Sequence, residues 1–504
     1  MEFFIDKTAE KKLALFKLLF FSDDLVSVKD LLTQLQFSKS ALFRYLKELE
    51  EDLALTFDSQ SFLLINHNNA YSYKSESQLD KSLIVNRLNL YYVKGSIRFK
   101  IITALYKKRY TSVDEIANDL YVSPSYLYRQ LKAIYAFFDD FHLKLTFKPD
   151  SNQSTNFVGS EIHQRFFFAY FYWSVFKGIE WPFKRLPESM YDLYYKNEID
   201  KKFPKGNLAP AKATQIGYLL TITFWRVNSR KEYVQLEEEL IEIFTAISEV
   251  NDISSSIATT WTQLPEEIDN QERLFFNFFT RVEVASVDND EMKEQISKHL
   301  LTINSDLVAY CVTFLEEVQQ HFDLKMTSQK KMVNLYYIVF YHLYMRYINV
   351  NHSQYLNSPF QLNEIKKQLN SSSLLEKEIL TFYDQFFQKN HFFKVDASSK
   401  QLVISLIYFI INSAEVEPLP ILVHFSKNIS GEYLIKNKIN AIFGTSTIRF
   451  TDDMDQAYLV ISDSYEGTIS NEQYFYIEEM YNPTIWKGLF DFIQQHLFNR
   501  SFSN

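Results

Sequence analysis

Two stretches of this chain are one phrase written twice. SVKDLLTQLQFSKSALFRYLK, residues 27–47, and SVDEIANDLYVSPSYLYRQLK, residues 112–132, align without a gap at a constant offset of 85. Nine pairs are identical, among them Ser27/Ser112, Ser38/Ser123, Arg44/Arg129 and Lys47/Lys132. A gapless internal repeat means one supersecondary unit used twice. In the first copy Leu31, Leu32 and Leu35 give a short helical face, Gln36 and Phe37 break it, and Ser38 caps a second helix marked by Leu42, Leu46 and Leu49. The second copy repeats this with Ile116, Ala117 and Leu120, then Ser123, then Leu127, Leu131 and Ile134. Pro124 suits the first helical position, where a missing N–H goes unnoticed. Both copies therefore read as helix-turn-helix.

With the leucines turned inward, the second helix of the first copy presents Ser40, Phe43, Arg44 and Lys47, and that of the second copy presents Ser125, Tyr128, Arg129 and Lys132. Arg and Lys at this spacing suit phosphates and guanine edges, and Ser suits phosphate oxygens. The competing reading is a pair of helical hairpins with solvated basic faces. Each copy is followed by two apolar runs around a polar break, LALTFDSQSFLLI and LKLTFKPDSNQSTNFVG, which read as strand–turn–strand. Such hairpins would be wings, with Lys144 and Lys148 placed for the DNA backbone, or ordinary hairpins packed on their helices.

The charge is divided in a way that fits this reading. Residues 81–148 carry 12 basic and 5 acidic side chains, against a net −9 for all 504 residues. A locally basic module on an acidic body fits nucleic-acid contact at one end. The single cysteine, Cys311, rules out an intrachain disulfide and a Cys-rich metal site, and suits a reducing cytoplasm. LALFKLLFF near the start carries Lys17 and runs into SDDL without a cleavage site, so it reads as a first helix rather than a signal peptide. No apolar run reaches membrane-spanning length.

Glycine is absent between Gly217 and Gly431, and proline between Pro265 and Pro359. That composition predicts a helical middle. Segments such as RFFFAYFYWSVF and NLYYIVFYHLYMRYI are apolar all round and predict inner bundle helices. A fainter repeat sets Arg226 on Arg346 and suggests tandem bundles split near Asp288. After EVEPLP, the runs ILVHFS, GEYLIKNKINAIF, STIRFTD and AYLVISDS predict a small α/β domain with a partly parallel sheet, closed by the helix NPTIWKGLFDFIQQHLF.

LQFSKSALFRYLKELE, LYVSPSYLYRQLK and NFVGSEIHQRFFF, in this order of domains, resemble the Mga/AtxA family of Gram-positive virulence regulators. The resemblance implies a mostly α, multidomain chain: winged helix-turn-helix domains at 1–80 and 81–160, bundles at 161–288 and 289–412 like those regulated by the sugar phosphotransferase system, and an enzyme IIB-like α/β domain at 413–504. It further implies a cytoplasmic homodimer on double-stranded DNA, phosphocarrier proteins of that system and RNA polymerase as partners, and no cofactor. An enzyme IIB carries its phosphoryl group on a cysteine after the first strand. Here Phe425 stands near that position, so phosphocysteine chemistry is excluded.

No histidine lies between Gln164 and Lys298, so only His163 at its edge could serve the first bundle as phosphoacceptor. In the second, His342 in FYHLYMR has Arg346 one turn on, a cation able to hold a phosphoryl dianion. The competing reading is a buried histidine satisfied by a carbonyl. His299, His321, His352 and His391 lie in weaker frames, and His424 and His496 fall in the end domain. The sequence thus points to a non-enzymatic DNA-binding regulator, expected to be a global activator of virulence or carbon-metabolism genes. The alternatives are a sensor or scaffold whose helix-turn-helix units bind protein, and a phosphotransfer component. The latter lacks any Gly-rich phosphate loop or nucleophile motif.

Overall fold

Helix caps and apolar stripes carry most of the local structure in the computed structural model, which describes residues 3–22, 24–57, 62–75, 79–148, 154–184, 186, 188–191, 209–254, 264–284, 287–350, 373–390, 397–414, 418–427, 430–464, 473–477, 479 and 481–503. The turn at 149–153, His352 and His391 lie outside these residues. The chain is mostly α-helical and multidomain. It divides into two compact units, Met1–Ala309 with Val339–Gln361, and Tyr310–Ile338 with Leu362–Asn504.

In the first unit, α1 (Lys7–Phe21) is capped by the Asp6 carboxylate, which accepts from the N–H groups of Thr8 and Ala9. Strand β1 (Val26–Ser27) leads into α2 (Val28–Leu35) and α3 (Lys39–Thr56). Strands β2 (Phe62–His67) and β3 (Ala70–Ser75) then form a hairpin, with β1 on its far side in the antiparallel order β1-β3-β2. Its two turn residues, Asn68 and Asn69, both have positive φ, as a tight two-residue hairpin requires. LALT is not a strand, contrary to the sequence expectation. Leu53 continues the buried stripe of Leu42, Leu46 and Leu49, so α3 runs to Thr56 and the hairpin begins later. Each fully buried leucine is worth about 1.5–3 kcal/mol, which outweighs the strand propensity of a short apolar run.

The second copy follows α4 (Lys81–Gly95) and α5 (Ile97–Lys107). It comprises α6 (Val113–Asp119), α7 (Pro124–Asp139) and the short antiparallel strands β4 (Lys144–Leu145) and β5 (Phe157–Val158). Asp52 on α3 ties the first copy to α1 and α4, accepting from Lys12 Nζ at 2.5 Å and from Tyr92 OH at 2.7 Å.

Next come α8 (Glu161–Phe176), the short α9 (Glu188–Tyr191), α10 (Pro210–Phe224) running directly into a π-helical turn (Trp225–Arg230), α11 (Glu238–Val250), α12 (Glu266–Glu283) and α13 (Asp290–Leu300). A buried ion network ties them. Arg165 on α8 holds Glu272 on α12 with two bonds of 2.6 and 2.9 Å and reaches Glu161 at 2.8 Å. Arg226 of the π-turn closes on the same Glu161 at 2.5 Å. Burial opposes the charge on Glu161, but the two guanidiniums prevail and hold its pKa below the ordinary value. Arg346, at the matching place in the faint second repeat, likewise pairs with a glutamate in the first turn of a helix, Glu239 of α11, at 3.1 Å.

The unit limits fall within α14 (Asp306–His321) and α15 (Ser328–Tyr347). In the second unit α16 (Ser373–Lys389) packs against α17 (Ala397–Ser413), and its Phe386 meets Phe314 of α14 edge to face at 5.1 Å. The C-terminal part is a four-stranded sheet of β6 (Leu419–His424), β7 (Ile448–Phe450), β8 (Leu459–Ser462) and β9 (Tyr474–Tyr476), in the order β7-β6-β8-β9. All three pairings are parallel, with Ile421 opposite Leu459. Helices α18 (Gly431–Phe443) and α19 (Pro483–Ser503) supply Ile435, Ile439, Trp486 and Leu489 to its core. After β6 the Ser426 and Lys427 N–H groups donate to the Asp463 carboxylate at the end of β8, at 2.9 and 3.1 Å. Burial pushes the Asp463 pKa up, but these bonds and the Ser464 and Ser426 hydroxyls bring it below the usual range. Phe425, beside this turn, is buried in the sheet's core.

Candidate nucleic-acid interface

Both copies of the repeat are set by the same local devices. Ser27 accepts from Asp30 N–H and Ser112 from Glu115 N–H, each at 3.1 Å. Ser38 accepts from Ala41 N–H and Ser123 from Tyr126 N–H, each at 3.3 Å. Gln36 and Tyr121, again 85 apart, both turn the chain with φ 54°. The two helix pairs thus share their serine caps and their left-handed turn residue, although the first helix of the second copy ends one position earlier.

That backbone leaves the expected residues outward. Ser40, Phe43, Arg44 and Lys47 on α3, and Ser125, Tyr128, Arg129 and Lys132 on α7, are all exposed. Arg44 lies over the Tyr45 ring at 5.0 Å and Arg129 over Tyr126 at 5.1 Å, so each guanidinium is held along its helix. Arg44 also meets Glu48 at a loose 3.7 Å. Among the described residues, Lys47, Arg129, Lys132, Lys144 and Lys148 form no salt bridge. Each helix start adds N–H groups and a positive dipole end, which favour phosphate.

The second hairpin is fixed from below. The buried Asn156 side chain accepts from Tyr110 N–H at 2.8 Å and donates to the Tyr110 and Thr146 carbonyls at 2.7 and 2.6 Å. Arg109 donates to the Lys148 carbonyl at 2.6 Å. Lys144 and Lys148 are exposed on this anchored frame. Gly159 closes it with φ 153°, and a Cβ there would stand 2.6 Å from Leu143 Cδ2. Not every cation contributes: Lys108 is held by Asp119 at 2.7 Å, and the Lys108 and Tyr110 hydrogen bonds keep Asp119 below its ordinary pKa.

Tyr121 is the residue that sequence reasoning missed. Its side chain is 95% exposed in the turn between α6 and α7, in a backbone conformation that bulky residues avoid. The signal was an aromatic at a turn position where neither helical stripe needs one. Lys39, exposed at the start of α3, was also overlooked.

Residues 81–172 match the Mga helix-turn-helix domain. No curated protein matches the chain significantly. The Mga domain thus begins at the first residue of α4 and takes in the second copy, its hairpin and most of α8, twelve residues further than the boundary read at 160. It carries a DNA-binding regulatory role in general terms.

The histidines stand elsewhere. His342 on α15 is fully buried, 0% exposed. His163 has Nδ1 on Ser160 Oγ at 2.7 Å and Nε2 on the Ile348 carbonyl at 2.9 Å. Burial lowers its pKa, and the neighbouring His142 adds to that. Among the described residues no group of three or more His, Cys, Asp or Glu side chains could hold a metal ion, and no helix is long and apolar enough to cross a membrane.

Proposed function

We propose that the chain is a DNA-binding transcription regulator in which both copies of the repeat, within residues 1–80 and 81–160, act as winged helix-turn-helix domains on one duplex. The observation that carries this is the 85-residue offset: caps, turn and outward Ser–aromatic–Arg–Lys set recur together, and one copy lies in an Mga domain. Arg44, Lys47, Arg129 and Lys132 would take phosphates or base edges, with Lys144 and Lys148 on the adjacent backbone. The regulator acts as a homodimeric activator that engages RNA polymerase. The segments 161–288 and 289–412 serve as phosphotransferase-regulated bundles, and 413–504 as an enzyme IIB-like dimerisation module. The parallel sheet supports the last assignment. Its phosphate-binding turn is given over to Asp463, in keeping with an interaction role.

Phosphocarrier proteins of the sugar phosphotransferase system belong to the same reading. Transfer to His342 requires α15 to part from its neighbours first, because no part of the ring is exposed. Transfer to His163 requires the loss of one of its two ring contacts. Incubation with those proteins and phosphohistidine detection tests this part; no label, with output unchanged in His342→Asp and His342→Ala, removes it.

The DNA reading is tested by anisotropy of the full chain on duplex DNA across a salt series. Each phosphate contact contributes about 0.9 to the log–log slope, so Arg129→Ala with Lys132→Ala should lower it by about 1.8. Arg44→Ala with Lys47→Ala should act likewise. A folded double variant of each copy with unchanged affinity and slope sinks the assignment and favours a protein-binding scaffold.

A further inference from the structure

A cavity of about 360 Å³ opens where the Mga domain meets the helices that follow it. Phe99 and Tyr106 of α5, Tyr172 and Phe176 of α8, and Phe224 and Trp225 beyond them line it. Tyr106 and Trp225 stack at 4.0 Å, and Tyr172 meets Phe183 at 4.7 Å. Its volume is at the low end of small-molecule sites, suited to one or two fused rings. The polar lining is uneven. Among the described residues Lys94, Lys107 and Lys184 line it against one acid, Glu180, and Glu180 is already paired with Lys94. Lys107 and Lys184 therefore leave net positive charge beside an aromatic slot.

Trp225 opens the π-turn, an uncommon element frequently found at functional sites. That turn is also the joint with the Mga domain. Arg230 at its end donates to the carbonyls of Ser154, Tyr106 and Lys107 at 3.0, 3.1 and 3.0 Å. Those carbonyls belong to the second hairpin and to the end of α5. A molecule packed against the stacked Tyr106–Trp225 pair thus touches the element that holds the hairpin in place.

We propose that this cavity is an effector site for a flat aromatic anion of one or two rings, held by the aromatic walls with its acidic group toward Lys107 and Lys184. Its occupancy changes how the Mga domain is held and so its affinity for DNA; this last clause rests on the DNA-binding reading, while the site itself does not.

The probe is 2-naphthoate, with neutral 2-naphthamide as its isostere, titrated into the full chain and read by calorimetry and tryptophan fluorescence. Saturable one-to-one binding is expected, about tenfold tighter for the acid than for the amide. Lys107→Gln with Lys184→Gln should erase that preference while leaving the amide's affinity unchanged. Thr103→Trp, which fills the slot from α5, should abolish binding of both in a protein whose circular dichroism is unchanged. No saturable binding, equal affinity for acid and amide, or binding indifferent to Thr103→Trp in a folded protein overturns the site. If the chain binds duplex DNA, saturating naphthoate should shift its affinity about fivefold or more in either direction. An unchanged affinity removes the regulatory clause and leaves the site. A chain that binds naphthoate but never DNA refutes the DNA reading alone.

Discussion

Glu283 ends α12 inside the first unit, and its Oε1 atom finds no hydrogen-bond partner among the described residues. Burial pushes its carboxyl from the ordinary 4.5 up to about 8. The raised value fixes the sign. Below about pH 4.5 the group is protonated in both folded and unfolded chains and costs nothing through ionisation. Between there and about pH 8 the unfolded chain releases its proton while the folded one keeps it. Stability therefore falls as pH rises, by about 1.4 kcal/mol per unit, toward a ceiling of about 5 kcal/mol. Water entry and local relaxation should reduce the measured effect to about 3 kcal/mol. Glu283→Gln keeps the volume and removes the ionisation. At pH 8 it should raise the melting temperature of the transition carrying this unit by about 4 °C, given a unit of this size. At pH 4.5 it should leave that temperature nearly unchanged. Scanning calorimetry of wild type and variant from pH 4.5 to 8.5 reads the difference. A gap that does not widen with pH, or a variant less stable at pH 8, refutes the reasoning.

Glu272→Ala strips the buried Arg165 of both bidentate bonds and should cost about 3–5 kcal/mol in urea unfolding. Tyr121→Gly should relieve the left-handed turn, raising stability by up to about 1 kcal/mol, yet weaken duplex binding in the anisotropy assay. A variant that binds as wild type does would make Tyr121 a bystander. Gly159→Ala meets both an unfavourable φ and Leu143, and should cost about 1–3 kcal/mol by thermal melting. Truncation after Pro418 should shift the protein toward monomer in sedimentation velocity; a truncated chain that still sediments as the full-length dimer would place the dimer contact elsewhere.

The helix pairs, their serine caps and their outward faces were legible because each rests on interactions within about four residues. The strands at 419–424, 448–450 and 459–462 were legible for the related reason that an apolar run bounded by polar residues has few other uses. The first hairpin was misplaced by one run because Leu53 belongs equally to a strand pattern and to a helical stripe, and only the tertiary core decides between them. Strand β9 was missed because the apolar run YFYI, set between acidic and amide residues, is too short to signal by itself. The buried state of His342 was open in the sequence, where an adjacent arginine looked like a phosphate partner; the fold instead turns Arg346 to Glu239. The aromatic cavity was illegible, since its walls come from residues over a hundred positions apart.

The π-turn has a consequence for how this chain should be compared with others. It ends α10, closed by Lys231, which turns the chain with φ 56° and donates its N–H to the Arg226 carbonyl. Within it Arg226 is aimed at Glu161 and Arg230 at three carbonyls. A chain that ended this helix with an ordinary α-turn would aim the same two arginines differently, because the wider turn advances each residue by a smaller angle. Identity at 226 and 230 in an alignment therefore does not by itself carry the joint over.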